Sequence, residues 1–235
     1  MVRMKTEEEL ERLREKLVKN LIKEGILRSN RCIKAMLSVK RHLFVPEALR
    51  DYAYVDTPLP LGRTGQTISA PHMCAYMLEA LELKIGDLVL EVGSGSGYQA
   101  ALIAECVAPS DAPKESWGHV VTIELLDELY KMAKENLEEN GYAGRVTCIL
   151  GDGTLGFPPL EEGEIYDKIL VTAGAPEVPE PLLKQIKKGG LIVIPVEGRF
   201  FQQLVKIRRL NDKYTQEVLT SCLFVPLRGR FGWKD

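Results

Sequence analysis

The sequence predicts an α/β protein built on a doubly wound, mostly parallel sheet. Three observations predict it. From residue 85 onward, short apolar runs alternate with amphipathic stretches of helical spacing, the pattern of successive βαβ units. A glycine-rich loop follows the first run. The chain has 235 residues, 45% of them hydrophobic and 27% charged, enough to bury a sizeable core.

The apolar runs are LVLEV (88–92), HVVTIE (119–124), RVTCIL (145–150), DKILVTA (167–173) and LIVIPV (191–196). Helices are expected between them at 98–107, 127–140 and 179–188, with Gly141 and Gly189 placed to stop the last two. Strands separated by helices imply a sheet covered on both faces.

Ahead of this region, Thr6 and Glu9 form a capping-box pattern, and Leu10, Leu13, Leu17 and Leu21 repeat at helical spacing up to Gly25. A second helix starts after Ser29 and carries Ile33, Met36 and Leu37. The stretches RHLFVPEAL and DYAYVDTPLPLGRTGQTISAP read as irregular chain, one short helix aside. Their apolar and aromatic residues (Phe44, Tyr52, Tyr54, Leu59, Leu61) argue for an ordered, packed loop, and long ordered loops are usually functional. A helix over 71–82 follows, with Pro71 in its first turn and Met73, Tyr76, Met77, Ala80 and Leu81 on one face. Behind the last apolar run, QQLVKIRRLNDKYTQEVLTSCLFVPL holds two strand-like runs around an Asn-Asp turn, an antiparallel hairpin at the sheet edge. With no internal repeat, low-complexity tract or second core, a single domain over 1–235 is expected.

Composition narrows the function classes. Lys plus Arg is 31 against 33 Asp plus Glu, a net charge of -2, which disfavours a nucleic-acid backbone as the main partner. The five cysteines (Cys32, Cys74, Cys106, Cys148, Cys222) show no C-x-x-C spacing and read as reduced, buried apolar residues. The N-terminal MVRMKTEEELERLREKL is charged throughout, unlike a signal peptide, and GGLIVIPV is too short to span a bilayer. A soluble, cytoplasmic protein with no membrane partner is expected.

LVLEVGSGSGYQAA places glycines 93, 95 and 97 between a strand and a helix start. Glycines there permit positive φ and close approach to a ligand, and the helix start favours an anionic group. The dinucleotide pattern G-x-G-x-x-G would need a glycine at 98, where Tyr98 stands; the spacing is G-x-G-x-G, preceded by Glu91. A tight turn with no ligand is the alternative. Glu124 closes the second strand, where an acid reaches a ribose diol in a βαβ unit; a solvated strand-end acid is the alternative. Asp152 ends the third strand, and Gly153 beside it allows close passage of a flat base. Three such signals at the carboxyl ends of consecutive parallel strands define one crevice.

The E-x-G-x-G-x-G run, the acid ending the second strand and the GDG after the third resemble the class I S-adenosylmethionine (AdoMet) methyltransferase fold over residues 85–196. The resemblance implies AdoMet as cofactor and S-adenosyl-L-homocysteine (AdoHcy) as product. The D/N-P-P-Y/F motif common in base-directed N-methyltransferases does not occur after the fourth strand, which reads TAGAPEVPEP, and there is no candidate metal cluster for catechol-type acceptors. A carboxylate acceptor needs neither, because it is already ionised at neutral pH. It needs hydrogen-bond donors, and GQTISAPHM (65–73) supplies the Thr67 and Ser69 hydroxyls beside a helix start. The competing reading makes Ser69 or Ala70 a helix cap.

RHLFVP (41–46), AYVDTPLPLGRTGQTISAPHM (53–73), LEVGSGSGY (90–98), GDG (151–153) and PEPLLKQIKKGGLIVIPV (179–196) together resemble the protein-L-isoaspartate O-methyltransferase family. That resemblance implies methylation of the free α-carboxylate of isoaspartyl residues in damaged proteins and peptides, initiating repair through a succinimide. It implies Ser69 as the active-site residue, with Thr67, Ser69, Ala70 and Val225 at the substrate. It implies Glu91, Gly93, Ser94, Gly95, Gly97, Glu124, Asp152 and Gly153 as cofactor contacts. It divides the chain into a helical, substrate-side segment (1–84), an AdoMet-binding core (85–200) and C-terminal strands (201–235), and a monomer is expected. His72 stands open between a cofactor contact and a histidine bonded at the helix start. RGRFGWKD (228–235) and CVAPSDAPKESWGHV (106–120) carry no functional reading. Two other readings stay open: an AdoMet-dependent RNA or small-molecule methyltransferase, and a non-catalytic AdoMet-binding protein.

Overall fold

A computed structural model describes residues 4–198 and 200–234. The N-terminal helix α1 (Glu7–Lys23) starts as its sequence demands: the Thr6 side chain accepts from the Glu9 N–H and the Glu9 side chain accepts from the Thr6 N–H. Helix α2 (Asn30–Ser38) is capped by the Ser29 side chain. The 41–70 stretch is ordered but holds more structure than one short helix. It carries two 3₁₀ turns, Arg41–Leu43 and Glu47–Tyr52, and a small antiparallel pair, β1 (Leu59–Pro60) with β2 (Thr67–Ile68). Helix α3 (Pro71–Ala80) follows, two residues shorter than expected.

The core alternates β3 (Leu88–Val92), α4 (Tyr98–Val107), β4 (His119–Glu124), α5 (Asp127–Glu139), β5 (Val146–Leu150), β6 (Tyr166–Val171), α6 (Glu180–Gln185) and β7 (Ile186–Val196). The hairpin β8 (Gln202–Leu210) and β9 (Lys213–Cys222) turns at Asn211, which takes φ 53°, a conformation Asn tolerates. The sheet order is β5-β4-β3-β6-β7-β8-β9. Strands β3 to β7 run parallel, and β8 and β9 add antiparallel, as the hairpin pattern requires.

One boundary differs from the sequence reading. The helix expected over 179–188 ends at Gln185, and residues 186–190 already belong to β7. Ile186 is buried and pairs with Tyr166 at the foot of β6, so the sheet claims this backbone before the helix can continue. Gly189, at φ 78°, therefore sits where the β6–β7 register shifts and does not stop a helix.

Two apolar layers flank the sheet. On one face Leu90, Val92, Ile169, Val171 and Ile192 pack with Leu182 of α6. On the other, α4 lies between the sheet and the N-terminal helices. Its sequence YQAALIAECV is apolar nearly all round, and every residue but Glu105 is buried. This second shell of helices seats the 41–70 stretch beside the carboxyl ends of the parallel strands. The strand order reverses beside β3, between β4 and β6, and a ligand crevice opens outside such a reversal.

Gly97 is the N-cap residue of α4 at φ 87°, and a Cβ there would meet Leu137 at 3.0 Å and the Ala133 carbonyl at 3.1 Å. Gly97→Ala is expected to cost about 1–3 kcal/mol through left-handed strain and crowding. Thermal unfolding is the check: an unchanged Tm would show that the loop relaxes freely.

Candidate active site

The crevice is a cleft, open to solvent, lined by both apolar side chains and a few convergent polar groups. Its walls come from the ends of β3, β4 and β6, the β2–α3 segment and the chain after β9.

The glycine loop is fixed through its own backbone. The Gly93 N–H donates to the Ile123 carbonyl at 2.8 Å, and the Gly93 carbonyl accepts from the Thr172 hydroxyl at 2.7 Å. Gly93 takes φ 98°, and a Cβ on it would collide with Thr172. The Gly95 N–H donates to Glu124 Oε2 at 2.9 Å. The other oxygen of Glu124 accepts from the N–H groups of Leu125 and Leu126 at 3.0 and 3.1 Å. Glu124 is thus a carboxylate held by three backbone donors at the cleft wall, with lone pairs left for hydroxyl donors.

Behind the loop, Glu91 is fully buried. Its Oε2 accepts from the Thr122 hydroxyl, which also meets Ser94 Oγ at 2.6 Å, while its Oε1 has no partner. Burial pushes the Glu91 carboxyl up to about 8, against the lowering hydrogen bond from Thr122 and with a smaller push from the Glu124 charge. At neutral pH it is a protonated acid that braces Thr122 and, through it, Ser94.

On the opposite side, Thr67, Ser69 and Val225 line the cleft. Ala70 occupies the N-cap position of α3, as one reading of the sequence had it, but no side chain at 69 or 70 makes a capping hydrogen bond. The cap comes from Asp56, whose Oδ1 accepts from both the His72 N–H and His72 Nδ1 at 2.9 Å. His72 is therefore a helix-start histidine paired with a carboxylate and lies outside the cleft wall. Among the described residues the Thr67 and Ser69 hydroxyls have no hydrogen-bond partner.

Of the residues singled out from sequence, Thr67, Ser69, Val225, Gly93, Ser94, Gly95, Glu124 and Gly153 line the cleft together. Ala70, Glu91, Gly97 and Asp152 are not among the residues that line it. Asp152 is engaged by its own loop and by the C-terminal tail: Oδ1 accepts from Thr154 N–H and hydroxyl, and Oδ2 from the Arg230 N–H at 2.7 Å. The tail is pinned further by Phe231 N–H on Thr154 Oγ1 and Trp233 Nε1 on the Gly174 carbonyl. The VPL stretch (225–227), which the family resemblance puts on the substrate side, lines the cleft, whereas sequence reasoning missed Thr172, Gln99, Ser96 and Arg228. A hydroxyl just past the fourth strand was the available signal for Thr172; the others depend on tertiary contacts.

The residues present fit AdoMet. Glu124 suits a ribose diol. The buried Ser96 Oγ and Gln99 Oε1 are oxygens without partners on the cleft wall, able to accept from an ammonium group. Val92, Met77, Ile123, Leu126 and Leu129 give apolar walls for a ring and a thioether.

A sheet of this order with a cofactor cleft at its reversal defines a class I AdoMet-dependent methyltransferase. The family model described as protein-L-isoaspartate(D-aspartate) O-methyltransferase matches residues 11–232. A protein-L-isoaspartate O-methyltransferase from Hyperthermus butylicus is 54% identical over 97% of this chain and 94% of its own. One from Staphylothermus marinus is 51% identical over 94% and 96%. Among solved structures, a protein of that name from Plasmodium falciparum, in complex with AdoHcy, superposes with a TM-score of 0.80 at 28% identity over 92% of this chain and 98% of that one. The chain belongs to the protein-L-isoaspartate(D-aspartate) O-methyltransferase family.

The Glu91 shift predicts a pH dependence. An unfolded Glu titrates near about 4.3, so between that value and about 8 the folded chain holds a proton that the unfolded chain has lost. Stability then falls as pH rises through this window, and the penalty is complete above it. Glu91→Gln removes the titration, so the variant's stability relative to the parent is expected to climb from pH 5 to pH 9 in urea unfolding. A difference that stays constant with pH would contradict it.

Proposed function

We propose that the chain methylates the free α-carboxylate of L-isoaspartyl residues in proteins and peptides with AdoMet, the ester then closing to a succinimide through which normal aspartate can be regained. The reading rests on one observation: a single cleft faces the Glu124-anchored glycine loop with the unpartnered hydroxyls of Thr67 and Ser69. The relatives' activity supports it.

When bound, AdoMet supplies an electrophilic methyl group on a sulfonium and leaves as the neutral thioether AdoHcy. Glu124 would hold the ribose diol, and the glycine loop, braced by Glu91 through Thr122 and Ser94, would take the methionine end. On the acceptor side no base is required, because an α-carboxylate is ionised well below neutral pH. The work of Ser69 and Thr67 is to donate hydrogen bonds that hold one carboxylate oxygen in line with the methyl carbon. Val225 and its neighbours close the substrate side of the cleft.

In this reading residues 85–200 carry the cofactor, while 1–84 and 201–235 form the substrate side of a single working unit. The partners are isoaspartyl-containing polypeptides. One chain supplies both walls of the cleft, which supports a monomer, and we place the enzyme in the cytoplasm. No helix among the described residues is long and apolar enough to cross a membrane.

The decisive experiment compares an isoaspartyl peptide with its aspartyl counterpart. Base-labile methyl incorporation is expected into the first only, and equal labelling of both would refute the specificity. Ser69→Ala removes a hydrogen bond to a charged group, about 1.5–3 kcal/mol, so kcat/KM is expected to drop by about ten- to a hundredfold. A full-rate Ser69→Ala enzyme would remove the serine from the mechanism. Glu124→Ala is expected to weaken AdoHcy binding by at least about tenfold, for the same loss of charge-assisted bonds. Titration calorimetry showing undiminished affinity would place the ribose elsewhere.

A further inference from the structure

Arg41 stands in the RHLFVP block, and nothing in the mechanism above uses it. Among the described residues its side chain is one of the largest that is fully buried, at 0% exposure. Nε donates to the Ala53 carbonyl at 2.9 Å, and one terminal nitrogen, Nη2, donates to the Ser69 carbonyl at 2.8 Å. The guanidinium lies over the Tyr98 ring, 5.0 Å from its centroid. The remaining nitrogen, Nη1, is buried with no partner. Among the described residues no carboxylate pairs with Arg41. A buried cation without an anion costs a folded protein stability, and this one is placed behind the segment that receives an anionic substrate.

We propose that Arg41 is a positioning residue that prepares the Ser69–Ala70 peptide for a carboxylate, and so sets the preference for a charged acceptor; this rests on the function proposed above. The peptide is trans and planar, so the Ala70 N–H points opposite to the Ser69 carbonyl. With that carbonyl turned onto a guanidinium, the amide is polarised and its N–H becomes a stronger donor on the far side. Among the described residues the Ala70 N–H has no acceptor. Arg41 also joins three parts of the site at one point: the approach loop at Ala53, the acceptor segment at Ser69, and Tyr98 at the start of the helix behind the glycine loop. The buried positive charge itself favours an anion across this thin layer of backbone.

The test uses two matched peptides, one with the isoaspartyl α-carboxylate and one with the neutral α-carboxamide, the second measured as a competitive inhibitor. The full-length enzyme is expected to bind the acid more tightly than the amide. Arg41→Gln is expected to weaken the acid by about tenfold, the scale of one charge-assisted bond, while the amide and AdoHcy stay within about twofold. Arg41→Lys keeps the cation and loses the fork, so the preference for acid returns while kcat stays depressed. A loss that falls equally on acid and amide would make Arg41 a structural residue only and overturn the proposal. So would a parent enzyme with no preference for acid. Should Arg41→Gln fail to fold, the lysine variant decides: wild-type kcat and KM there would overturn it. Failure of the parent enzyme to methylate the isoaspartyl peptide at all would instead sink the proposed function, so the two failures are told apart.

Discussion

The carboxylate of Glu124 is the fastening on which the cofactor side depends. It accepts from Gly95 in the loop after β3 and from Leu125 and Leu126 at the threshold of α5. A glycine loop alone is a poor shape-holder, since glycine loses more conformational freedom on folding than any other residue. Here the freedom is removed from outside: Ile123 takes the Gly93 N–H, Thr172 takes its carbonyl, and Glu124 takes the Gly95 N–H. Three parallel strands therefore contribute to one loop, and the loop can keep its shape only while their register holds. The cleft is a product of the sheet order and not a separate addition to it.

Much of this was legible in the residues. The strand-loop-helix grammar from 88 to 196 reads largely from periodicity, because the central strands β3, β4 and β6 are nearly continuous buried apolar runs and Gly141 stands just past the end of α5. Thr6, Ser29 and Asn211 behave as local chemistry predicts, since a cap or a turn is settled within four residues. The end of α6 was not legible, because the pairing of Ile186 with Tyr166 spans twenty residues and overrides local helix preference. The start of α3 shows the same limit from another side. Its capping acceptor is Asp56, on a loop sixteen residues upstream, where no short-range pattern would look for it. The cleft-lining role of Ser69 follows partly from that substitution: with Asp56 at the cap, the serine hydroxyl is released from structural duty.

The tail illustrates a different kind of illegibility. RGRFGWKD has no periodicity, yet Arg230, Phe231 and Trp233 anchor it over Asp152, Thr154 and Gly174. Gly229, at φ 129°, passes so close to the Asp152 carboxylate that a side chain would collide with it. The acid that the family resemblance implies as a cofactor contact is thus braced by the chain's C-terminal segment, which sets where its oxygens point. Backbone donors, invisible to any reading of side-chain types, do this work.

A parallel sheet with a glycine loop and a strand-end acid at its order reversal specifies a cofactor cleft and says nothing of the acceptor. Outside the βαβ repeats, the irregular segments that reach the cleft wall are 41–70, through residues 66–69, and 225–228. Both are irregular in form yet held by buried contacts: Arg41 on Tyr98 in one, the Gly174 N–H to the Val225 carbonyl in the other. A carboxylate acceptor makes few chemical demands beyond orientation, since its proton is already gone. Orientation in turn demands rigidity, and rigidity in a loop demands interior anchors. The burial of an arginine against the Ser69 carbonyl, behind the cleft wall, is consistent with the proposed acceptor chemistry: a group that needs no base needs a firm hold.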